Sequence, residues 1–454
     1  MTQHSGSRLP LRGRLASAAL IALAAAVALP TGAPAAEPAT GATRLDNPYA
    51  GAKVYVNPVW SANAVGEPGG AAVADQPTAV WLEHIAEIQD AGGGMGLRDH
   101  LDEALAHGAD LVQLVLRDLP GRDCEKLVSD SELGPDEIGR YQTEFIDPIV
   151  EILADPDYAD LRVVAVVEPG AVATLVTHTS PRPSATPQCD QMKANGNYLR
   201  GIGYALDRLA TLPNAYSYLD IGHHASLGWD DNLGPAADLL AQAATTSGAS
   251  PADVHGIIAN VANYSVLHEG FFDVDDVISG QPVRISRWVD WNRYIDEVPY
   301  ALAFRDELID RGFAPDIGVL VDTSRNGWGG PDRPTGPGTS TDVNTYVNQS
   351  RLDRRTTAAS WCNVAKAGLG ERPAAAPAPG IDAYVWAKPP GESDGSPDNG
   401  DGGGGMGGDR MCAEYAWFPG QPPTDALPGG PPAGEWFPEH FARLLANAWP
   451  PLES

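Results

Sequence analysis

The sequence predicts an α/β protein whose parallel strands form a TIM-like barrel, with long loops shaping a cleft or tunnel at one mouth. Three observations carry this expectation. Apolar strand-like runs alternate with helical segments along most of the 454 residues, as in a parallel barrel with insertions. The run LVQLVL at Leu111–Leu116 is nearly continuous in β-formers, as a strand buried on both faces requires. It ends in RDLPGRDC, a turn dense in charged groups, and other strand-like runs end in acids, amides or histidine. In a parallel barrel all such ends face one mouth, where catalysis occurs.

Residues 1–36 read as a secretory signal peptide. Arg8, Arg12 and Arg14 precede the apolar LASAALIALAAAVALP, and Ala33-Pro34-Ala35 offers small residues for cleavage. A secreted, extracellular protein is expected, with no membrane segment in the mature form. Residues 37–46 form an Ala/Pro linker, and 47–454 a single catalytic domain, expected to be monomeric. Val54–Val56 reads as a first strand, with Tyr55 and Asn57 on one face. Thr78–Ala91 and Leu97–His107 have helical spacing and lead into the Leu111 strand. Helices are then expected at Arg140–Leu153, Asn195–Leu212, Ala236–Ala244 and Trp291–Arg311. Strands are expected at Leu161–Val167 and Tyr216–Leu219, and in GIIANVANY, IGVLVD and AYVWAK. The Gly/Pro-rich stretches 327–338 and 389–434 are expected to line the cleft.

A formal charge of −29 excludes a phosphate-binding surface for nucleic acid but would not repel a neutral polysaccharide. Eleven Trp against eight Phe favour stacking on sugar rings, with Trp229, Trp361 and Trp386 near the strand ends. In an exported chain the four cysteines Cys124, Cys189, Cys362 and Cys412 read as two disulfides. Neither C-x-x-C nor H-x-x-x-H spacing occurs, so no metal and no cofactor is expected. The strand ends supply Asp123, Glu168, Asp220, His223, Asn260, Asn263, Asp322, Lys388, Glu392 and Asp394. A carboxylate-rich mouth without a metal motif suits glycoside hydrolysis, which needs paired carboxyls around an oxocarbenium-like transition state.

The motifs DLPGRDC, FIDPI, LDIGHH with LGW, NVANY, DTSRNGWGG, WCN and KPPGESDG together resemble glycoside hydrolase family 6, and most closely its bacterial exo-acting cellobiohydrolases. The resemblance runs from Asn47 to the C-terminus. It implies a distorted barrel whose loops close over the substrate, inverting hydrolysis of β-1,4-glucan, and disulfides Cys124–Cys189 and Cys362–Cys412. Carried over residue by residue, it makes Asp394 the base, acting directly or through a water chain, and Asp123 the residue supporting the acid. His223, Asn263, Trp361, Lys388 and Glu392 become sugar contacts, joined by Asp220 and Trp229. Tyr55, which stands where many members have Trp, Asn57, His178, where many have Asn, and Ser226 complete the expected substrate contacts. The acid side departs from the family. Its general acid is the last residue of an E-x-D motif, which reads Glu168-Pro169-Gly170 here, and Gly170 carries no carboxyl. The family's Tyr before DLP is Arg117, and a tunnel Trp is Ser226.

Two readings follow. One is a glucanase acting on cellulose or a related β-glucan, with Glu168 or Asp123 replacing the lost acid. The other is a carbohydrate-binding pseudoenzyme. Arg117 would suit a weaker third alternative, specificity for an acidic glycan.

Overall fold

The structure, a computed structural model, describes residues 44–89, 93–126, 129, 131–397, 409–414 and 423–453. The expected signal peptide and most of the expected linker lie outside the described residues. Eight strands make one curled sheet. In chain order they are β1 (Val80–Leu82), β2 (Leu111–Leu116), β3 (Arg162–Val167), β4 (Ala215–Asp220), β5 (Gly256–Ala259), then β8 (Gly318–Asp322), β9 (Ala374–Ala378) and β10 (Ile381–Val385); β6 (Val277–Ile278) and β7 (Gln281–Pro282) form a separate hairpin. The spatial order is β1-β2-β3-β4-β5-β8-β10-β9, parallel except for the β10/β9 pair. Strand β1 meets the segment after β10 through single contacts rather than a ladder. Ala79 N–H donates to Trp386 O at 3.1 Å, and the Trp81 indole donates to Ala387 O at 2.7 Å. The result is the distorted barrel expected.

The strands form because their residues must be buried on both faces. Along β2, Val112, Leu114 and Leu116 pack toward the helices with Val163, Ala165 and Val167 of β3. The alternate residues Leu111 and Val115 pack with Val164, Val166, Tyr216 and Tyr218 in a second core. The register pairs Leu116 with Val167 and Val167 with Leu219, so Arg117, Glu168 and Asp220 leave the sheet side by side at one rim.

Several elements differ from expectation. Thr78–Ala91 is not one helix. Val80–Leu82 is a strand beside β2, and helix spans only Ile85–Ile88, with residues 90–92 outside the described ones. A buried parallel partner outweighs local helical spacing. Of Val54–Val56 only Val54 bridges, to Leu111, and Asn57 instead caps a helix at Pro58–Gly66, accepting from Val59 N–H. The expected helix at Asn195–Leu212 is split at Gly196, whose φ of 69° ends one helix and starts the next. Strand β5 stops at Ala259 because Asn260 and Ala262 turn left-handed, at φ 66° and 54°. Of the stretch 389–434, residues 398–408 and 415–422 lie outside the described ones.

Disulfides join Cys124 to Cys189 and Cys362 to Cys412, closing loops of 65 and 50 residues. In the chain-entropy treatment each loop closure stabilises by roughly 4 kcal/mol. Replacing Cys124 and Cys189 together by Ser should therefore lower the unfolding free energy by roughly that amount. Urea unfolding of the purified variant checks this; a loss under about 1 kcal/mol would contradict it.

Candidate active site

A cleft of about 780 Å³ opens at the carboxyl ends of the strands. On one side the loop after β2 carries Asp123 in a left-handed conformation, φ 57°, with Cys124 beside it tied to Cys189. Asp123 pairs with Arg117 at 2.5 Å and Lys126 at 3.4 Å. Arg117 also binds Glu83 at 2.5 Å, and Arg122 reaches Glu83 at 3.3 Å. Burial opposes ionisation of Glu83, yet the Arg117 and Arg122 guanidiniums hold its carboxyl below the usual range. Arg117, which also lines the cleft, is thus engaged by two carboxylates of its own chain.

The β3 rim explains both Glu168 and Gly170. Glu168 takes a left-handed φ of 51° and is 3% exposed. Its carboxylate accepts from the amides of Asp118 at 3.1 Å and Leu119 at 3.3 Å, and burial pushes it up to about 7. It therefore braces the loop after β2 and does not line the cleft, which corrects its assignment as a replacement acid. Gly170 lines the cleft at φ 84° and begins the helix Ala171–Thr177. A Cβ there would meet nothing within 4 Å. From β4, Asp220 accepts the Gly170 amide at 2.9 Å and also lines the cleft.

The other side is built around a buried ion pair. Asp394 accepts from Arg325 at 2.7 and 2.8 Å, from the Tyr264 hydroxyl at 2.7 Å and from Asn363 N–H at 2.8 Å. Burial again opposes the charge, and Arg325, Lys388 and His440 overcome it to hold Asp394 below its usual value. Asp322 lies beneath, not in the cleft. Its carboxylate accepts from the amides of Ala262, Ser324 and Lys388, joining the loops after β5, β8 and β10. Asn260 is likewise structural, donating to Asp322 O and Ser265 O.

Between the two sides lie His178, His223, Ser226, Trp229, Asn263, Trp361 and Lys388. Burial, then Arg355, pushes the His223 imidazole well below its ordinary value, so it is a neutral hydrogen-bonding group. Lys126 lies 5.5 Å over the Trp361 ring and Lys388 5.3 Å over that of Trp81.

Four other expected contacts fall outside the cleft lining. Tyr55 is buried and bonds His100 Nδ1 at 3.0 Å, and Asn57 is spent as a helix cap. Glu392 sits behind Lys388, 3.7 Å away. Trp386 is fully buried and donates to Glu371 O. The aromatic that sequence reasoning missed is Trp81, which does line the cleft. Reading V-W-L followed by Glu83 as a strand end, rather than as helix, would have found it. Glu125 was also missed. It lines the cleft with a buried Oε2 that has no hydrogen-bond partner, and burial with the Asp123 charge pushes its pKa up. The one grouping of possible metal donors among the described residues, Cys124, Glu125 and Cys189, has both sulfurs in a disulfide.

Comparison with known proteins places this geometry. Residues 47–448 match the family described as glycosyl hydrolases family 6. The chain is 44% identical over 431 residues to exoglucanase A of Cellulomonas fimi, covering 89% of this chain but 49% of that protein. It is 33% identical over 424 residues to the 1,4-beta-D-glucan cellobiohydrolase C of Emericella nidulans, covering 90% of this chain and 80% of that one. Among solved structures, the catalytic domain of Cellulomonas fimi Cel6B superposes with a TM-score of 0.84 at 42% identity, covering 90% of this chain and 97% of that one. A mutant of the cellobiohydrolase Cel6A from Humicola insolens, in complex with methyl-tetrathio-alpha-D-cellopentoside, superposes at 0.69 with 29% identity, covering 90% of this chain and all of that one.

The Arg325–Asp394 pair generates a stability prediction. Asp394→Asn leaves a fully buried guanidinium without its counter-ion, which should cost about 3–5 kcal/mol. Because the folded carboxyl titrates below its unfolded value of about 3.9, this contribution is complete above that pH and is lost as pH falls through the folded value. Urea unfolding of parent and variant at pH 7 and pH 3 should show the gap narrowing in acid; an equal gap would contradict it.

Proposed function

The chain belongs to the glycosyl hydrolases of family 6, and from that premise we propose that it hydrolyses β-1,4-glucan of cellulose or a related β-glucan. The proposed chemistry is inversion, without metal or cofactor, by a secreted monomer. One observation carries the reading: Asp123, Asp220, His223, Asn263, Trp361, Lys388 and Asp394 line a single cleft of oligosaccharide size. Trp81, Trp229 and Trp361 offer ring faces for glucosyl units, and Asn263, His223 and Lys388 offer hydrogen bonds to hydroxyls. The attacking water loses its proton toward Asp394, whose direct bonds to Arg325 and Tyr264 favour transfer through an intervening water. On the opposite face the leaving oxygen needs a proton, and Gly170 cannot supply it.

That glycine also favours a second reading, a binding protein without turnover, because losing a general acid removes about 10²–10⁴-fold in rate. Proton NMR of cellotetraose digestion, beside calorimetry of cellotetraose binding, separates the two. Slow release of product whose new reducing end is first the α-anomer supports inverting hydrolysis. Binding with no product above the buffer control supports the binding reading, and β-anomer first would exclude inversion.

Gly170→Asp tests the acid side directly. Its left-handed φ should lower stability by about 1–2 kcal/mol, read from urea unfolding, while turnover of cellotetraose rises by about tenfold or more. A folded variant that binds cellotetraose without any gain in rate would show that the missing acid does not limit the parent.

A further inference from the structure

Besides Asp394 and Asp409, the carboxyls lining the cleft are Glu83, Asp123, Glu125 and Asp220, and their surroundings separate them; Glu83 is paired with Arg117 and Arg122. Asp123 is committed to Arg117 and Lys126. Glu125 lies with a carboxylate oxygen within 4.8 Å of both sulfurs of the Cys124–Cys189 disulfide. Asp220 is placed differently. It leaves β4 next to the end of β3, and its Oδ2 accepts the amide of Gly170 itself at 2.9 Å. A Cβ on Gly170 would meet nothing within 4 Å, so the space into which a side chain there would point is open, and the Asp220 carboxyl lies beyond that distance, on the Gly170 amide.

We propose that Asp220 is the proton donor of this chain, reaching the glycosidic oxygen through one water seated in the open space beside Gly170. The proposal rests on the hydrolase reading above. Asp220 passes its proton to that water as the water gives one to the glycosidic oxygen, and the C1–O bond breaks to release the departing sugar as an alcohol. A second water bonds to C1 from the opposite face, its proton passing toward Asp394. Asp220 then recovers a proton from solvent, so one water is consumed per bond.

The electrostatics of the pocket agree. Burial pushes Asp220 up to about 6 against the amides of Gly170 and Gly222, and Glu297 adds to the rise. Glu297 comes from the helix behind, where it accepts from His224 Nδ1 at 2.7 Å, and Tyr300 of the same helix donates to Ile221 O. His223, on the loop after β4, is neutral, and Glu168 from β3 is bonded to backbone amides. A donor must be protonated, so kcat/KM should fall as pH rises through about 6.

The test compares Asp220→Asn and Glu125→Gln with the parent on cellotetraose and on 2,4-dinitrophenyl cellobioside, whose leaving group needs no protonation. Asp220→Asn should lose roughly 10²-fold or more in kcat on cellotetraose, lose under about tenfold on the aryl substrate, and lose the basic limb of the pH profile. Equal losses on both substrates, or the leaving-group split in Glu125→Gln instead, would overturn the proposal while leaving the hydrolase reading intact. A parent that binds cellotetraose and turns over neither substrate would overturn both. If Asp220→Asn melts below the assay temperature, Asp220→Glu keeps a carboxyl, and the basic limb of its profile should move; an unmoved limb counts against Asp220.

Discussion

The buried pair of Arg325 and Asp394 is the interaction on which the rest of the cleft depends. Neither side chain has appreciable contact with solvent, at 0% and 4% exposure, so each would be costly alone. Their desolvation is offset by the contact of one guanidinium nitrogen, Nη1, with both carboxylate oxygens and by the further bonds each makes. Asp394 also accepts from Tyr264 and Asn363, and the Arg325 guanidinium donates to Ala262 O while lying 4.3 Å from the Tyr264 ring centroid. These contacts join the segments after β5, β8 and β10, as Asp322 does one layer below through three backbone amides. A carboxylate so fully engaged is fixed in charge and position.

The opposite wall follows a different logic. Glu168 and Asp123 both hold left-handed backbone, and each is over-determined by its surroundings: the first by two amides, the second by two cations and a neighbouring disulfide. Arg117 lies between Glu83 and Asp123, so its charge is neutralised within the wall. The loop is therefore held rigidly although the side chain that the E-x-D pattern would present from residue 170 is absent. A rigid wall with an open space at one position favours chemistry routed through a neighbouring group, because little reorganisation is needed at the moment of reaction.

How far the sequence was legible can be judged from particular residues. LVQLVL could be read as a doubly buried strand because every residue is apolar or, like Gln113, has a partner available; Gln113 accepts from Tyr49. Asp220, His223, Asn263, Lys388 and Asp394 were legible as cleft residues because in a parallel barrel a strand's end fixes the rim at which the following residues emerge. The rule fails where a strand-end polar group is used internally, as with Glu168, Asn260 and Asp322, since the type of residue does not say which donor it will meet. Tyr55 and Trp81 show the other failure. A short strand with helical spacing was assigned to a helix, and the aromatic sought at Tyr55 stands at Trp81 instead.

What the sequence by itself determined is the central strands β2, β3, β4, β5, β8 and β10 and the chemistry of the residues delivered at their ends. Burial of apolar runs and the periodicity of side chains are local properties of the chain, readable without coordinates. That residue 170 is glycine, without a carboxyl, is likewise a fact of sequence. Only the tertiary structure decided which carboxyls face the cleft, which are tied to amides or guanidiniums, and that Asp220 lies against the Gly170 amide. Those outcomes depend on contacts between segments far apart in the chain, such as residues 170 and 220 or 325 and 394. No local pattern encodes the distance between such groups, because it is set by strand register and by the packing of the loops above.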